Sequence, residues 1–145
     1  MDHGMSRLER LERWATVMEE ADGRPLTPLL DIEFVSPLER PTLRSSSSPL
    51  AVAYDDPVLR REGLDSDRFG DGSEFFGLSA RQAHRVLCSC GYLGIMQASD
   101  VAHRIRVIAA SERLREAVRG LWGANPLPAL GRWLAGWVMP ARQHG

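Results

Sequence analysis

The sequence predicts an all-α protein: a single compact bundle of five or six short helices with a proline-rich irregular arm. Strand-forming residues are scarce, since valine, isoleucine and threonine together make up 16 of 145 residues, whereas leucine alone makes up 18. Apolar residues recur at helical spacing behind serine and aspartate caps. With 43% hydrophobic residues, a chain of 145 residues is long enough to bury one core, so we expect one domain.

An amphipathic helix is expected within residues 1–23. Ser6 and Glu9 have the spacing of a capping box, in which each side chain accepts a hydrogen bond from the other residue's backbone N–H. Asp22-Gly23 provides a stop signal. The helix should therefore run from about Ser6 to Ala21, with an apolar face formed by Leu8, Leu11, Trp14, Ala15 and Met18.

An irregular arm is expected over residues 24–54. Five prolines and a run of four serines, 45–48, disfavour any long regular element. The stretch 26–35 is nevertheless apolar. We therefore expect this stretch to pack on the domain, while the serine run forms a mobile loop.

The helical core is expected over residues 55–122. Asp56 before Pro57 predicts the start of a short helix, because aspartate caps helices well and proline is favoured at the first helical position. Gly63 predicts its end. Residues 65–72 are rich in aspartate and glycine and predict a turn-rich connection rather than a helix.

Two further helices are expected in the second half of this core. Ser79 with Gln82 predicts the start of one, and Ser99 predicts the start of another. Ser111 and Glu112 either interrupt this second helix or continue it, and the helical spacing extends to about Trp122. The side chains expected to form the buried core are Leu11, Trp14, Phe75, Phe76, Leu78, Val86, Leu87, Val101, Ile105, Ile108 and Leu114.

A tryptophan-rich C-terminal helix and tail are expected over residues 123–145. The helix should occupy 129–139, which is too short to span a bilayer. Trp133 and Trp137 lie one turn apart with Arg132 beside them, and both residue types are favoured at protein interfaces. These three residues are the candidate partner-binding site. In the alternatives, the tryptophans close the protein's own core or lie at a membrane surface.

The charges are unevenly distributed. All 18 basic residues are arginines, so lysine chemistry is excluded. Residues 1–78 hold 16 of the 19 acidic residues and nine arginines, a net charge of −7, whereas residues 79–145 carry a net +6. The basic half can therefore face an anionic partner, or dock on the acidic half within or between chains.

Arginines of the two central helices form a second candidate site. Arg81, Arg85, Arg104 and Arg106 could contact phosphates or base edges if these helices made a helix-turn-helix. Two observations weigh against it. The isoelectric point is only about 6.4. The expected connection, 91–98, is about twice as long as the usual turn.

A third candidate site consists of His84, Cys88 and Cys90. His84 and Cys88 are four residues apart on one helix face and could take two positions of a tetrahedral zinc site. The two cysteines are too close for an ordinary structural disulfide and have neither the zinc-knuckle nor the redox spacing. A buried cysteine pair is therefore the main alternative to a zinc or redox site.

No segment carries a catalytic signature: a glycine-rich phosphate loop, a paired-histidine zinc motif and a serine nucleophile elbow are all missing from the sequence. We therefore expect a non-catalytic binding protein, an adaptor or regulator that acts through protein–protein contacts and needs no cofactor. The alternatives are a nucleic-acid-binding regulator and a zinc- or redox-linked sensor.

The expected compartment is the cytoplasm. The charged N-terminus does not resemble a secretory signal, and no apolar run is long enough to span a membrane. The low cysteine content is typical of a reducing environment. A homo-oligomer is compatible with these observations.

Overall fold

The computed structural model describes residues 4–29, 32, 34–88 and 95–123. Over these ranges the chain forms α-helices and a 3-10 turn at Arg40–Thr42, without any strand, which confirms the all-α class. The helices are α1 (Arg7–Glu20), α2 (Pro49–Asp55), α3 (Pro57–Arg61), α4 (Phe69–Phe76), α5 (Ala80–Leu87) and α6 (Ala98–Gly123).

Helix α1 begins at the predicted capping box. The Ser6 hydroxyl accepts from the Glu9 N–H, and the Glu9 carboxylate accepts from the Ser6 N–H, each at 3.2 Å. The apolar face buries Trp14 completely. Its ring stacks on Phe76 at 4.1 Å between centroids, and its Nε1 donates to the Pro49 carbonyl at 3.1 Å. This tryptophan therefore joins α1 to both α2 and α4.

The irregular arm is shorter than predicted, because residues 49–55 form α2. Ser48 caps this helix by accepting from the Ala51 N–H, and Pro49 occupies the first turn. The last serine of the serine run is thus a cap, and the proline after it starts a helix. The Thr27 N–H donates to the Ser47 carbonyl and joins the two ends of the remaining arm, 24–48. The Leu29 N–H donates to the Leu87 carbonyl and ties the arm to α5.

Helix α3 confirms the start predicted at Asp56, whereas α4 was missed. Residues 65–72 were expected to form turns, yet α4 begins at Phe69. A Cβ on Gly70 would lie 2.7 Å from Pro41 Cβ, and one on Gly72 would lie 2.5 Å from Leu50 Cδ2. The two glycines therefore allow close packing of a helix, although their intrinsic preference disfavours one.

Helix α5 begins at the predicted capping box of Ser79 and Gln82. Helix α6 is one continuous element of 26 residues. Most of the predicted core is buried, and Leu78 is half-buried against it. Leu114 was predicted to be buried but is 68% exposed. The helical spacing around Leu114 was predicted correctly. The buried core, however, does not extend along α6 as far as Leu114.

The chain divides into two compact units, residues 1–110 and 111–145. The first holds α1 to α5 and the first half of α6, with Trp14 and Phe76 among its largest fully buried side chains. The second begins with the remainder of α6. Within the described ranges, no helix is both long enough and apolar enough to cross a membrane.

Candidate partner-binding surfaces

The second half of α6 carries a row of exposed apolar side chains. Leu114, Val118, Leu121 and Trp122 are 68%, 45%, 53% and 44% exposed. Their spacing, i, i+4, i+7 and i+8, places them on one helix face over a length of about 12 Å. We call these four residues the α6 stripe. An exposed group of large apolar residues is the kind of surface that marks a protein interaction site.

Two arginines of the same half of α6 contact a buried carboxylate. Glu112 is 4% exposed, and its oxygens lie 3.8 Å from Arg115 Nη1 and 3.3 Å from Arg119 Nη2. Arg115 stands two helical turns before Trp122 and so borders the same face. The stripe therefore has a basic edge, held in place by Glu112. Sequence reasoning missed this cluster, although arginines three and seven residues after a glutamate are a recognisable signal.

The predicted partner-binding residues Arg132, Trp133 and Trp137 lie outside the described residues. The sequence connects them to the stripe directly, because α6 ends at Gly123 and this segment follows. The stripe itself was missed as a binding surface because Leu114 was assigned to the core.

Three of the four candidate nucleic-acid-binding arginines lie together. Arg81 and Arg85 are exposed one turn apart on α5. Arg104 of α6 reaches across, and its Nη1 donates to the Arg85 carbonyl at 2.7 Å. We call Arg81, Arg85 and Arg104 the α5–α6 arginine cluster. Such a cluster can bind phosphates or carboxylates, since guanidinium groups match the geometry of both anions.

Arg106 belongs to a different contact. Its guanidinium forms an ion pair with Glu19 of α1, with Nε 3.3 Å from Oε2, and also approaches the Thr16 hydroxyl at 3.5 Å. The hydrogen bond from Arg106 lowers the pKa of Glu19, and the same bond raises the pKa of Arg106. Arg106 therefore fastens α6 to α1 rather than joining the arginine cluster.

The connection between α5 and α6 is too long for a helix-turn-helix. Helix α5 ends at Leu87 and α6 begins at Ala98, which leaves ten residues between them. A helix-turn-helix uses three or four. Any nucleic-acid contact of the arginine cluster would therefore be made to the phosphate backbone rather than by a recognition helix in the major groove.

Cys88 has the surroundings of a core thiol. It is 2% exposed, and its Sγ donates to the Leu29 carbonyl at 3.7 Å. His84 is half-buried on α5, and Cys90 lies outside the described residues. Where the structure describes the chain, no three histidine, cysteine or acidic side chains are grouped to hold a metal. The zinc or redox site of His84, Cys88 and Cys90 stays a prediction.

Two clefts open on the first unit. One, of about 260 Å³, is lined by Arg10, Phe75 and acidic side chains; Arg10 donates to the Phe75 carbonyl at 3.0 Å and stacks over its ring. The other, of about 490 Å³, lies between the end of α1 and the start of α6, and we call it the α1–α6 groove. Its lining includes Pro25, Ile95, Met96 and Ala98. Neither cleft presents a nucleophile with an adjacent base.

No protein-family model, no curated protein and no solved structure matches this chain.

Proposed function

We propose that this protein is a small non-catalytic binding protein, an adaptor or regulator that acts through protein–protein contacts. The observation that supports this proposal is the α6 stripe, four large apolar side chains left exposed along one face of a regular helix. The docking surface comprises the stripe together with Arg132, Trp133 and Trp137 in the segment that follows it.

The chemistry of the stripe suggests what its partner looks like. Apolar side chains at i, i+4 and i+7 are the anchors by which a helix binds in an apolar groove. Burying one such side chain contributes about 1.5–3 kcal/mol, so several together can support a specific complex. Arg113, Arg115 and Arg119 are exposed around the stripe. The partner is therefore a protein with an apolar groove and an acidic rim.

The test is affinity capture from cells that make the protein, with nuclease present and at low and high salt, followed by titration of the partner. We expect Leu121→Ala with Trp122→Ala to weaken binding about tenfold or more, since tenfold corresponds to roughly 1.4 kcal/mol. Trp133→Ala and Trp137→Ala should also weaken it. Glu116→Ala, on the opposite face of α6, is the matched control and should bind normally.

The result can contradict the proposal in two ways. Equal binding by the stripe variant and the control would remove the stripe from the interface. If Trp133→Ala or Trp137→Ala unfolds the protein in a circular dichroism melt, the tryptophans belong to the core. The C-terminal part of the proposal would then fail.

Nucleic-acid binding is a second candidate function, supported by the α5–α6 arginine cluster. We expect a fluorescently labelled oligonucleotide to bind at low salt and to dissociate steeply as salt is raised. Arg81→Ala with Arg85→Ala should weaken binding and lower the salt slope by about one unit for each lost phosphate contact. Arg106→Ala is the control, because Glu19 holds its guanidinium. Failure to bind at low salt would exclude this function.

A further inference from the structure

Three large apolar side chains of the first unit are more than four-fifths exposed. Leu38 is 91%, Phe34 is 85% and Ile95 is 81% exposed. Each of these exposed fractions is larger than that of any residue of the α6 stripe. Phe34 and Leu38 lie four residues apart in the arm, and Ile95 lines the α1–α6 groove. One chain thus carries both an apolar protrusion and an apolar recess.

The protrusion is an ordered turn. The N–H groups of Glu39 and Arg40 both donate to the Ser36 carbonyl, at 3.0 and 2.9 Å. Arg40 Nη2 donates to the Val35 carbonyl at 3.1 Å, so the guanidinium of Arg40 also stabilises the turn. We call residues 34–38 the arm turn.

The arm turn is also anchored on both sides. Ile32, just before it, is 5% exposed. After it, the Phe69 N–H at the start of α4 donates to the Leu43 carbonyl at 2.7 Å. Phe34 and Leu38 are therefore carried by a turn that has hydrogen bonds of its own. Their burial by a partner would require little further ordering of the chain, which favours binding.

The recess shares the apolar character of this protrusion. The α1–α6 groove has a volume of about 490 Å³. Met96 and Ala98 are 3% and 1% exposed and form its floor, while Ile95 forms an exposed wall. The rim carries one charge of each sign, Asp22 and Arg24, and is thus neutral overall. A ligand with an apolar centre fits this groove better than a charged one.

We propose that the groove is filled by a second copy of this chain: the arm turn of each copy inserts Phe34 and Leu38 beside Ile95 of the other. Two reciprocal insertions give a two-fold symmetric dimer. Because both arm turns and both grooves are then occupied, no further copy can be added through them.

The area available indicates a weak dimer. A buried aromatic residue contributes about 150–250 Å². The two copies of Phe34 therefore bury about 300–500 Å². With the smaller Leu38 and Ile95 side chains the total is on the order of 1,000 Å², below the limit of about 1,200 Å² for stable specific interfaces. The dimer is expected to dissociate at micromolar concentrations. Because its centre is apolar and the groove rim neutral, it should depend little on salt.

Sedimentation equilibrium of the purified full chain tests the proposal. Measurements over about 1–500 µM give access to dissociation constants up to the sub-millimolar range. They are made at two salt concentrations. We expect a monomer–dimer equilibrium. Phe34→Ala with Leu38→Ala should weaken it at least tenfold, and so should Ile95→Ala. Leu114→Ala with Val118→Ala, on the α6 stripe, is the matched control and should leave it unchanged.

A mixing experiment tests whether the insertion is reciprocal. A copy with Phe34→Asp and Leu38→Asp has an altered arm turn and an intact groove. A copy with Ile95→Asp has an intact arm turn and an altered groove. Each alone should stay monomeric. The mixture retains one intact insertion and should therefore associate, but more weakly than the unaltered chain, because the other insertion is lost. The proposal is overturned if the unaltered chain is still a monomer at about 500 µM. It is also overturned if the arm-turn variants dimerise like the unaltered chain, or if only the stripe control loses the dimer. Circular dichroism melts confirm that the variants fold.

Discussion

Asp56 performs two tasks with one carboxylate. Its Oδ2 caps α3 by accepting from the Leu59 N–H at 3.2 Å. Both oxygens also accept from Arg13 of α1, at 3.0 Å from Nε and 2.7 Å from Nη2. The side chain of Asp56 is 6% exposed and that of Arg13 is 34% exposed. A bidentate pair that also caps a helix therefore joins the start of α3 to the middle of α1 through a single carboxylate.

Removal of this carboxylate should destabilise the protein measurably. We expect Asp56→Ala to lower the free energy of unfolding by about 2 kcal/mol, because a lost cap costs about 1 kcal/mol and Arg13 loses its partner near the surface. Asp56→Asn retains a capping oxygen and should lose about half as much. Asp55→Ala, which breaks an exposed pair with Arg24, is the control and should change stability by less than about 0.5 kcal/mol. Urea denaturation measures all three.

The same pair gives stability a pH dependence. The hydrogen bond from Arg13 lowers the pKa of Asp56 below its ordinary value of 3.8. A carboxyl group whose pKa is lower in the folded state adds stability that is complete above pH 3.8 and is lost as the pH falls through the lower folded pKa. The gap in stability between the protein and Asp56→Asn should therefore close in acid. A gap that stays constant between pH 7 and about pH 2 would contradict the role of the pair.

Helix α4 contains two glycines because neighbouring residues leave no room there for a Cβ atom. Gly72 faces Leu50 of α2, and Gly70 faces the Pro41 backbone. The glycines that made the sequence of α4 resemble a turn are thus explained by tertiary packing, which is not visible from local sequence. Helices α1, α3 and α5 could be predicted because each begins with a side-chain cap, a signal contained within three or four residues.

Two glycine-to-alanine substitutions should have opposite effects. At Gly72, the added Cβ would lie 2.5 Å from Leu50 Cδ2, and we expect a loss of about 1–3 kcal/mol from overpacking. At Gly120, in α6, no atom lies within 4 Å of an added Cβ. There alanine should stabilise the helix by roughly 0.5–1 kcal/mol. Thermal unfolding followed by circular dichroism distinguishes them, and a loss of stability at Gly120 would show that the residue has contacts of its own.

At the scale of the whole molecule, the acidic and basic parts of the sequence are joined by a specific contact. Glu19 comes from the acidic part and Arg106 from the basic part, and they pair across α1 and α6. Other ion pairs, such as Arg13–Asp56 and Glu112–Arg119, stay within one part. The charge asymmetry read from the sequence is therefore largely left on the surface, where the α5–α6 arginine cluster carries some of it.

The candidate surfaces were harder to predict than the fold. Helical spacing correctly placed Leu114 on the apolar face of a helix but could not show that this face is exposed. The four arginines were correctly placed on α5 and α6, but only the folded chain separates Arg106 from the others by bringing Glu19 to it. Exposure of Phe34, Leu38 and Ile95 likewise depends on how the arm crosses the domain, which has no local signal.

Helix α1 acquires several of its partners long after it has been synthesised. Arg7 hydrogen-bonds to the Phe76 carbonyl, 69 residues further on, and Arg106 is separated from Glu19 by 87 residues. Synthesis at about 5–20 residues per second leaves an interval of roughly 3–14 s between Arg7 and Phe76. During that time the apolar face around Trp14 has no Phe76 to cover it. Until α4 has been made, the apolar face of α1 is therefore open to aggregation and to chaperone binding.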